Sequence, residues 1–213
     1  MEEWRQFITK FSLRSYQKGQ LIVCQDTVPP YCYVVRKGFV KTYLITAEGD
    51  EKPISFEGKN DIFPFDVVFG HSQEAKYYYE AYTDCELYHI PCNEFIAFVK
   101  VHPHLFTRLF HYLIDRTLGY HEHIASLEHA KAVDKLLFAL NLLTKRFGRQ
   151  VARSRSLMML PITQQDLANF LGLTRETTGT QLKTLEREGV LRYHRQKYTI
   201  YTDRLHSLLE ERG

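Results

Sequence analysis

The stretch Leu160-Pro-Ile-Thr-Gln-Gln-Asp-Leu-Ala-Asn-Phe-Leu-Gly-Leu-Thr-Arg-Glu-Thr-Thr-Gly-Thr-Gln-Leu-Lys-Thr-Leu-Glu-Arg-Glu-Gly-Val-Leu191 decides the reading of this chain. It reads as two capped helices joined by a tight turn. Thr163 precedes the first helix and Asp166 stands three residues on, the spacing at which side chain and backbone satisfy one another at a helix start. Leu167, Ala168 and Leu171 share one face of that helix, and Gly172 permits the sharp turn after it. Thr174 caps the second helix, Leu182 and Leu185 mark its inward face, and Gly189 stands just past its end. A helix-turn-helix of this spacing leaves Arg175, Glu176, Thr177 and Thr180 exposed on the first turns of the second helix, the part that enters a major groove.

After this stretch, residues 191–202 alternate basic with aromatic or β-branched side chains, like a two-stranded wing beside a phosphate backbone. Before it, Phe147 to Ser156 reads as a basic connector holding Gly148, Arg149, Arg153 and Arg155, and a domain boundary is expected there. A helix from about Lys131 to Arg146 precedes the connector, after a break near Glu128-His129-Ala130. From His104 to about His129 the apolar positions Phe106, Phe110, Leu113, Thr117, Tyr120, Ile124 and Leu127 recur at alternating steps of four and three, a heptad seam. A helix of that length runs about 39 Å at 1.5 Å per residue. That exceeds the needs of a small core, so the seam predicts a homodimer, with a long intramolecular core helix as the alternative. Gly119 inside it calls for a close backbone approach or local compliance.

Charge supports the division. Residues 131–213 hold 15 Lys+Arg against 8 Asp+Glu, whereas residues 1–130 hold 13 against 17, so a net +7 segment follows a net −4 one. That suggests a module meeting a polyanion, coupled to a module with another task. With 213 residues, 44% hydrophobic and 25% charged, the chain is neither disordered, collagen-like nor a disulfide miniprotein. No apolar run approaches the roughly 18 residues of a membrane span, and the start Met1-Glu2-Glu3-Trp4-Arg5 lacks signal-peptide order. A cytoplasmic protein is expected. Cys24, Cys32, Cys85 and Cys92 include no Cys-x-x-Cys pair and are read as buried free thiols.

Upstream of residue 104 the punctuation changes: five of the eleven glycines and five of the seven prolines fall between residues 16 and 91. Short β-branched and aromatic segments lie between them: 21–23, 31–35, 39–45, 77–82 and 86–90. They predict an antiparallel barrel or sandwich, with hairpin turns at Arg36-Lys37-Gly38 and Ala47-Glu48-Gly49-Asp50. The expected class is α+β: a β-roll over residues 1–103, a dimerisation helix over 104–130 and a winged helix-turn-helix over 131–213.

Roll, long helix and winged motif together resemble the catabolite-activator (Crp/Fnr) family of bacterial transcription regulators, over nearly the whole chain. The Thr-Arg-Glu-Thr segment at 174–177 is the specific part; the roll resembles the family in layout more than in residues. The resemblance implies base reading by Arg175 and Glu176. An Arg fork matches guanine O6 and N7, and a carboxylate accepts from cytosine N4. It implies phosphate contacts at Thr163, Gln165, Thr174, Lys183 and, in the wing, His194. Double-stranded DNA carrying an inverted repeat, a second copy of the chain and, for an activator, RNA polymerase are the implied partners. Well-known members carry a second base-reading Arg one turn after the Glu, where this chain has Thr180, so its target differs there.

The sensor departs further. Members that bind cyclic AMP hold it with Gly-Glu and Arg-Ser pairs, and the aligned positions here are Phe65-Asp66 and Ala75-Lys76. Without that Arg an anionic phosphate is poorly held, although Lys76 offers a point charge. An iron–sulfur cluster of the kind other members hold is also disfavoured, since Cys24 alone precedes residue 30. An effector, if one exists, is expected between roll and helix, near Lys76, Tyr78 and neighbouring tyrosines on one side and Tyr120 and His121 on the other. Such an aromatic pocket suits a planar organic molecule or is filled by its own tyrosines. Eight of the ten histidines lie between His71 and His129. They fit either metal or haem sensing or solvated and core-satisfied histidines, and no metal site or cofactor is identified. A metal- or redox-responsive regulator is one alternative. A small β-roll metalloenzyme is another; it needs His-x-His and Glu on inward-facing strands, which the sequence lacks.

Overall fold

The computed structural model describes residues 2–212. They form two compact units, one ending at Tyr112 and one beginning at Leu113.

The first unit opens with helix α1 (Glu2–Ile8), followed by strands β1 (Ser12–Tyr16), β2 (Leu21–Val23), β3 (Tyr31–Lys37), β4 (Val40–Ile45), β5 (Glu51–Glu57) and β6 (Ile62–Phe63). Helix α2 (Phe65–Val68), strands β7 (Tyr78–Ala81) and β8 (Cys85–Pro91) and helix α3 (Cys92–Lys100) complete it, together with the first turns of helix α4 (Pro103–Glu128). The strands build two antiparallel sheets, ordered β1-β8-β3-β6 and β2-β7-β4-β5. Strand β3 explains the layering. Tyr33 and Val35 point between the sheets to join Val23, Val40, Phe63, Tyr79 and Leu87. Cys32 and Val34 point the other way, against Phe7, Ile8, Val68, Phe95 and Val99 of the helices. Both faces are covered, so the strand reads as an unbroken apolar run rather than an alternation.

The turn glycines behave as expected. Gly49 has φ 87° in the β4–β5 hairpin, and its N–H donates to the Thr46 carbonyl. Gly38 has φ 87°, and a Cβ there would run into the Asp84 carbonyl and Cys85 Sγ. Strand β5 was not expected, because Pro53 and charged ends mask it; it lies at a sheet edge, where a missing N–H is tolerated. The cysteines are all free, but Cys24 is exposed, just past the short edge strand β2, and Cys92 is half-buried.

In the second unit, the rest of α4 is followed by α5 (Ala132–Phe147), β9 (Gly148–Ala152), β10 (Arg155–Met158), α6 (Gln164–Leu171), α7 (Arg175–Arg187), β11 (Leu191–His194), β12 (Lys197–Tyr201) and α8 (Thr202–Arg212). The segment expected as a basic connector is therefore a β-hairpin. It extends the wing into a four-stranded sheet ordered β11-β12-β10-β9. Every side chain of β9 is exposed, so the strand has no buried face to give it a pattern. Of the two reasons the sequence offers for Gly119, close approach and local compliance, the first does not apply. A Cβ there would meet only Leu142, at 3.7 Å, an ordinary contact, so no close approach demands glycine.

Candidate nucleic-acid interface

Both predicted caps form. Thr163 Oγ1 accepts the Asp166 N–H at 3.0 Å before α6, and Thr174 Oγ1 accepts the Thr177 N–H at 3.1 Å before α7. Gly172 sits at φ 63°, and the next N–H, of Leu173, donates to the Ala168 carbonyl at 2.9 Å, closing α6. Gly189 sits at φ 76°; its N–H donates to Glu186 and that of Val190 to Leu185, which ends α7 in a Schellman motif. Helix α7 buries Thr178, Leu182 and Leu185. The opposite stripe, Glu176, Thr180, Lys183 and Arg187, is exposed, as is Arg175 at the first helical position. Gly179 faces α6, where a Cβ would come to 3.2 Å from the tip of the Gln164 side chain.

The sequence-derived DNA residues all lie in this second unit. Gln165 is exposed, with Nε2 donating to Asn169 Oδ1 at 2.9 Å, and Thr174 and His194 are also exposed. Thr177 departs from expectation. It is half-buried, because Thr174 Oγ1, which already accepts its N–H, donates back to its hydroxyl at 2.8 Å. Thr163 is half-buried against Asp166. Of the basic side chains that the sequence sets beside a phosphate backbone in the wing, it singles out only His194; Arg192, Arg195 and Lys197 are exposed around the β11–β12 turn as well. That turn has Arg195 at φ 46° and Gln196 at φ 63°, the two-residue geometry that usually selects Asn-Gly. Its non-glycine residues gave no turn signal. Glu188, at the end of α7, pairs with Arg212 at 3.1 Å, which also bonds Asp134 at 3.0 Å and ties α8 to α5 and α7. An exposed helix start flanked by a cationic hairpin can seat a polyanion with base edges in reach.

The seam residues occupy one face of α4. Phe106, Phe110 and Ile124 are 59%, 55% and 57% exposed, Thr117 and Tyr120 are exposed, and Leu113 and Leu127 are half-buried. Ile114 and Leu118 widen this face, so a single chain leaves a long apolar strip in water. On the other side of the helix, His123 stacks edge-on against Phe170 at 3.7 Å, and burial lowers its pKa.

The effector candidates separate. Tyr79 points between the sheets and stacks on Phe63 at 4.9 Å, whereas Tyr78 stands on the outer face against Tyr43 at 5.3 Å. Strand alternation, with Tyr78 paired to Tyr43, puts Tyr79 between the sheets and Tyr78 on the opposite face of its strand. Ala75 is buried, and the Lys76 side chain is exposed while its N–H donates to Asp66 Oδ2 at 3.3 Å. The buried polar groups of β4 and β5 centre on a carboxylate: Ser55 donates to Glu57 at 2.6 Å and Thr42 at 3.3 Å. Tyr120 accepts from Arg116 at 2.8 Å, and His121 is exposed. Among the described residues no three His, Cys, Asp or Glu side chains converge as metal ligands.

Two family descriptions match the chain: a cyclic nucleotide-binding domain over residues 13–102 and a Crp-like helix-turn-helix domain over residues 135–210. Electron transport regulator A of Shewanella oneidensis is 27% identical over 187 residues, covering 88% of this chain and 73% of that protein. The cAMP-activated global transcriptional regulator CRP of Salmonella typhimurium is 24% identical over 202 residues, covering 95% and 94%. In fold, FixK2 from Bradyrhizobium japonicum superposes with a TM-score of 0.78 at 21% identity, over 93% of this chain and 96% of that one. With both domains matched in order and the helix-turn-helix formed as its sequence dictates, the chain belongs to the Crp/Fnr family of DNA-binding transcription regulators, which are not enzymes.

Proposed function

We propose that the protein is a cytoplasmic homodimer that binds an inverted repeat in double-stranded DNA, reading bases with Arg175 and Glu176. The observation that carries this reading is the capped start of α7, with Arg175, Glu176 and Thr180 exposed above a buried Leu182–Leu185 face. The apolar strip of α4 supports pairing of two copies through Phe106, Phe110, Leu113, Thr117, Tyr120, Ile124 and Leu127. Two-fold pairing sets two recognition helices about one turn of DNA apart. Thr163, Gln165, Thr174, Lys183 and His194 then meet phosphates, joined by Arg192, Arg195 and Lys197. As an activator the dimer would also engage RNA polymerase.

Duplex-binding titrations over a range of salt test the division of labour. Arg175→Ala loses about 1–3 kcal/mol on the preferred site. Lys183→Ala weakens all duplexes alike and lowers the salt slope by about 1. Equal losses on preferred and random duplexes for Arg175→Ala would contradict base reading.

The roll, in this reading, does not respond to cyclic AMP. Ala75 stands where the family places a phosphate-binding Arg, and Lys76 points to solvent. Calorimetry with cyclic AMP is expected to give no heat of binding at micromolar concentration; micromolar affinity would overturn this part of the account.

A further inference from the structure

A cavity of about 520 Å³ opens in the first unit between α1, the residues before β6, α3 and the first turns of α4, away from the space between the two sheets. Its floor is apolar: Ile8, Ile62, Phe95, Val99 and Leu105 are all less than 9% exposed, and Trp4 and Leu109 add half-buried surface. Its charged rim is lopsided. Arg5 of α1, Lys59 of the loop and Arg108 of α4 line it with a single acid, Glu2. The neighbouring acids are taken: Glu3 holds His104 at 2.8 Å, and Asp61 accepts from the Tyr112 hydroxyl at 2.8 Å. Among the described residues none of the three cations is ion-paired. Three separate elements thus bring unpaired positive charges to the mouth of one greasy hollow. The local potential there favours an anion, and the volume lies in the range of small-molecule sites.

We propose that this cavity binds a small amphipathic organic anion, its carboxylate at Arg5, Lys59 and Arg108 and its apolar body against Trp4, Phe95 and Leu109. Arg5 and Arg108 offer planar forks matched to a carboxylate, and Lys59 adds a point charge. Site and ligand class stand independently of the DNA reading.

The chain's single tryptophan, Trp4, lies in the cavity wall and reports occupancy directly. Titration of the full-length protein with decanoate is expected to give a saturable change in Trp4 fluorescence at micromolar concentration. Decanol and decylamine bind at least ten-fold more weakly. The triple variant Arg5→Gln, Lys59→Gln, Arg108→Gln changes only exposed side chains; it loses at least ten-fold in decanoate affinity at an unchanged melting temperature. Leu109→Phe, which fills the hollow, abolishes binding as followed by calorimetry. Absence of saturation below millimolar decanoate, equal affinity for decanol, or wild-type affinity in either variant would each overturn the proposal.

Discussion

At the residue scale, the chemistry of the DNA-facing helix was legible because it is local. A Thr cap three residues before a satisfied N–H, a glycine at positive φ and a two-leucine face are all set by sequence neighbours, and the structure forms each of them. Side chains whose surroundings come from distant strands were not legible. His89 is the clearest case. It is 4% exposed, its Nε2 lies 3.0 Å from the Tyr16 hydroxyl, and its ring sits among Tyr16, Tyr31 and Tyr33. Its Nδ1 has no hydrogen-bond partner. Burial, with a smaller push from Arg14, brings its pKa down from 6.5 to about 4. Between those values the unfolded chain takes up a proton that the folded chain refuses. The contribution of neutral His89 is therefore complete above about pH 6.5 and is lost as pH falls towards 4. His89→Phe is expected to lose less stability than wild type between pH 7 and pH 5 in thermal melts. An identical drop in both proteins would contradict this assignment.

At the element scale, period decided what could be read. The heptad spacing of α4 picks out a single face, and five of its seven residues are exposed in the chain. Strands β5 and β9 escaped because one carries a proline at a sheet edge and the other buries nothing. A run of three tyrosines, Tyr77 to Tyr79, does not fix the strand's phase; pairing of Tyr78 with Tyr43 does. The strip on α4 carries its own prediction. A charge at its centre, Leu113→Arg, should leave the fold intact and weaken self-association, since Leu113 lies mid-seam and half-buried. Sedimentation is expected to give a dimer for wild type at micromolar concentration and a shift towards monomer for the variant. A monomeric wild type would contradict the pairing.

At the scale of the whole molecule, an acidic stretch of sequence is followed by a basic one. Net charge +7 over residues 131–213 and −4 over the rest expresses that split in composition alone. Fold and family could be read from the order of roll, long helix and winged motif. The sensor could not, because it depends on which side chains distant strands turn inward. The account stands or falls on whether two copies of α7 read an inverted repeat. Selection of bound sequences from random duplexes, run in parallel with wild-type protein and Arg175→Ala, tests this most directly. Wild type is expected to enrich two inverted half-sites about one helical turn apart, each with a G·C pair whose preference disappears in Arg175→Ala. Enrichment of no inverted repeat, or the same preference in both proteins, would contradict it.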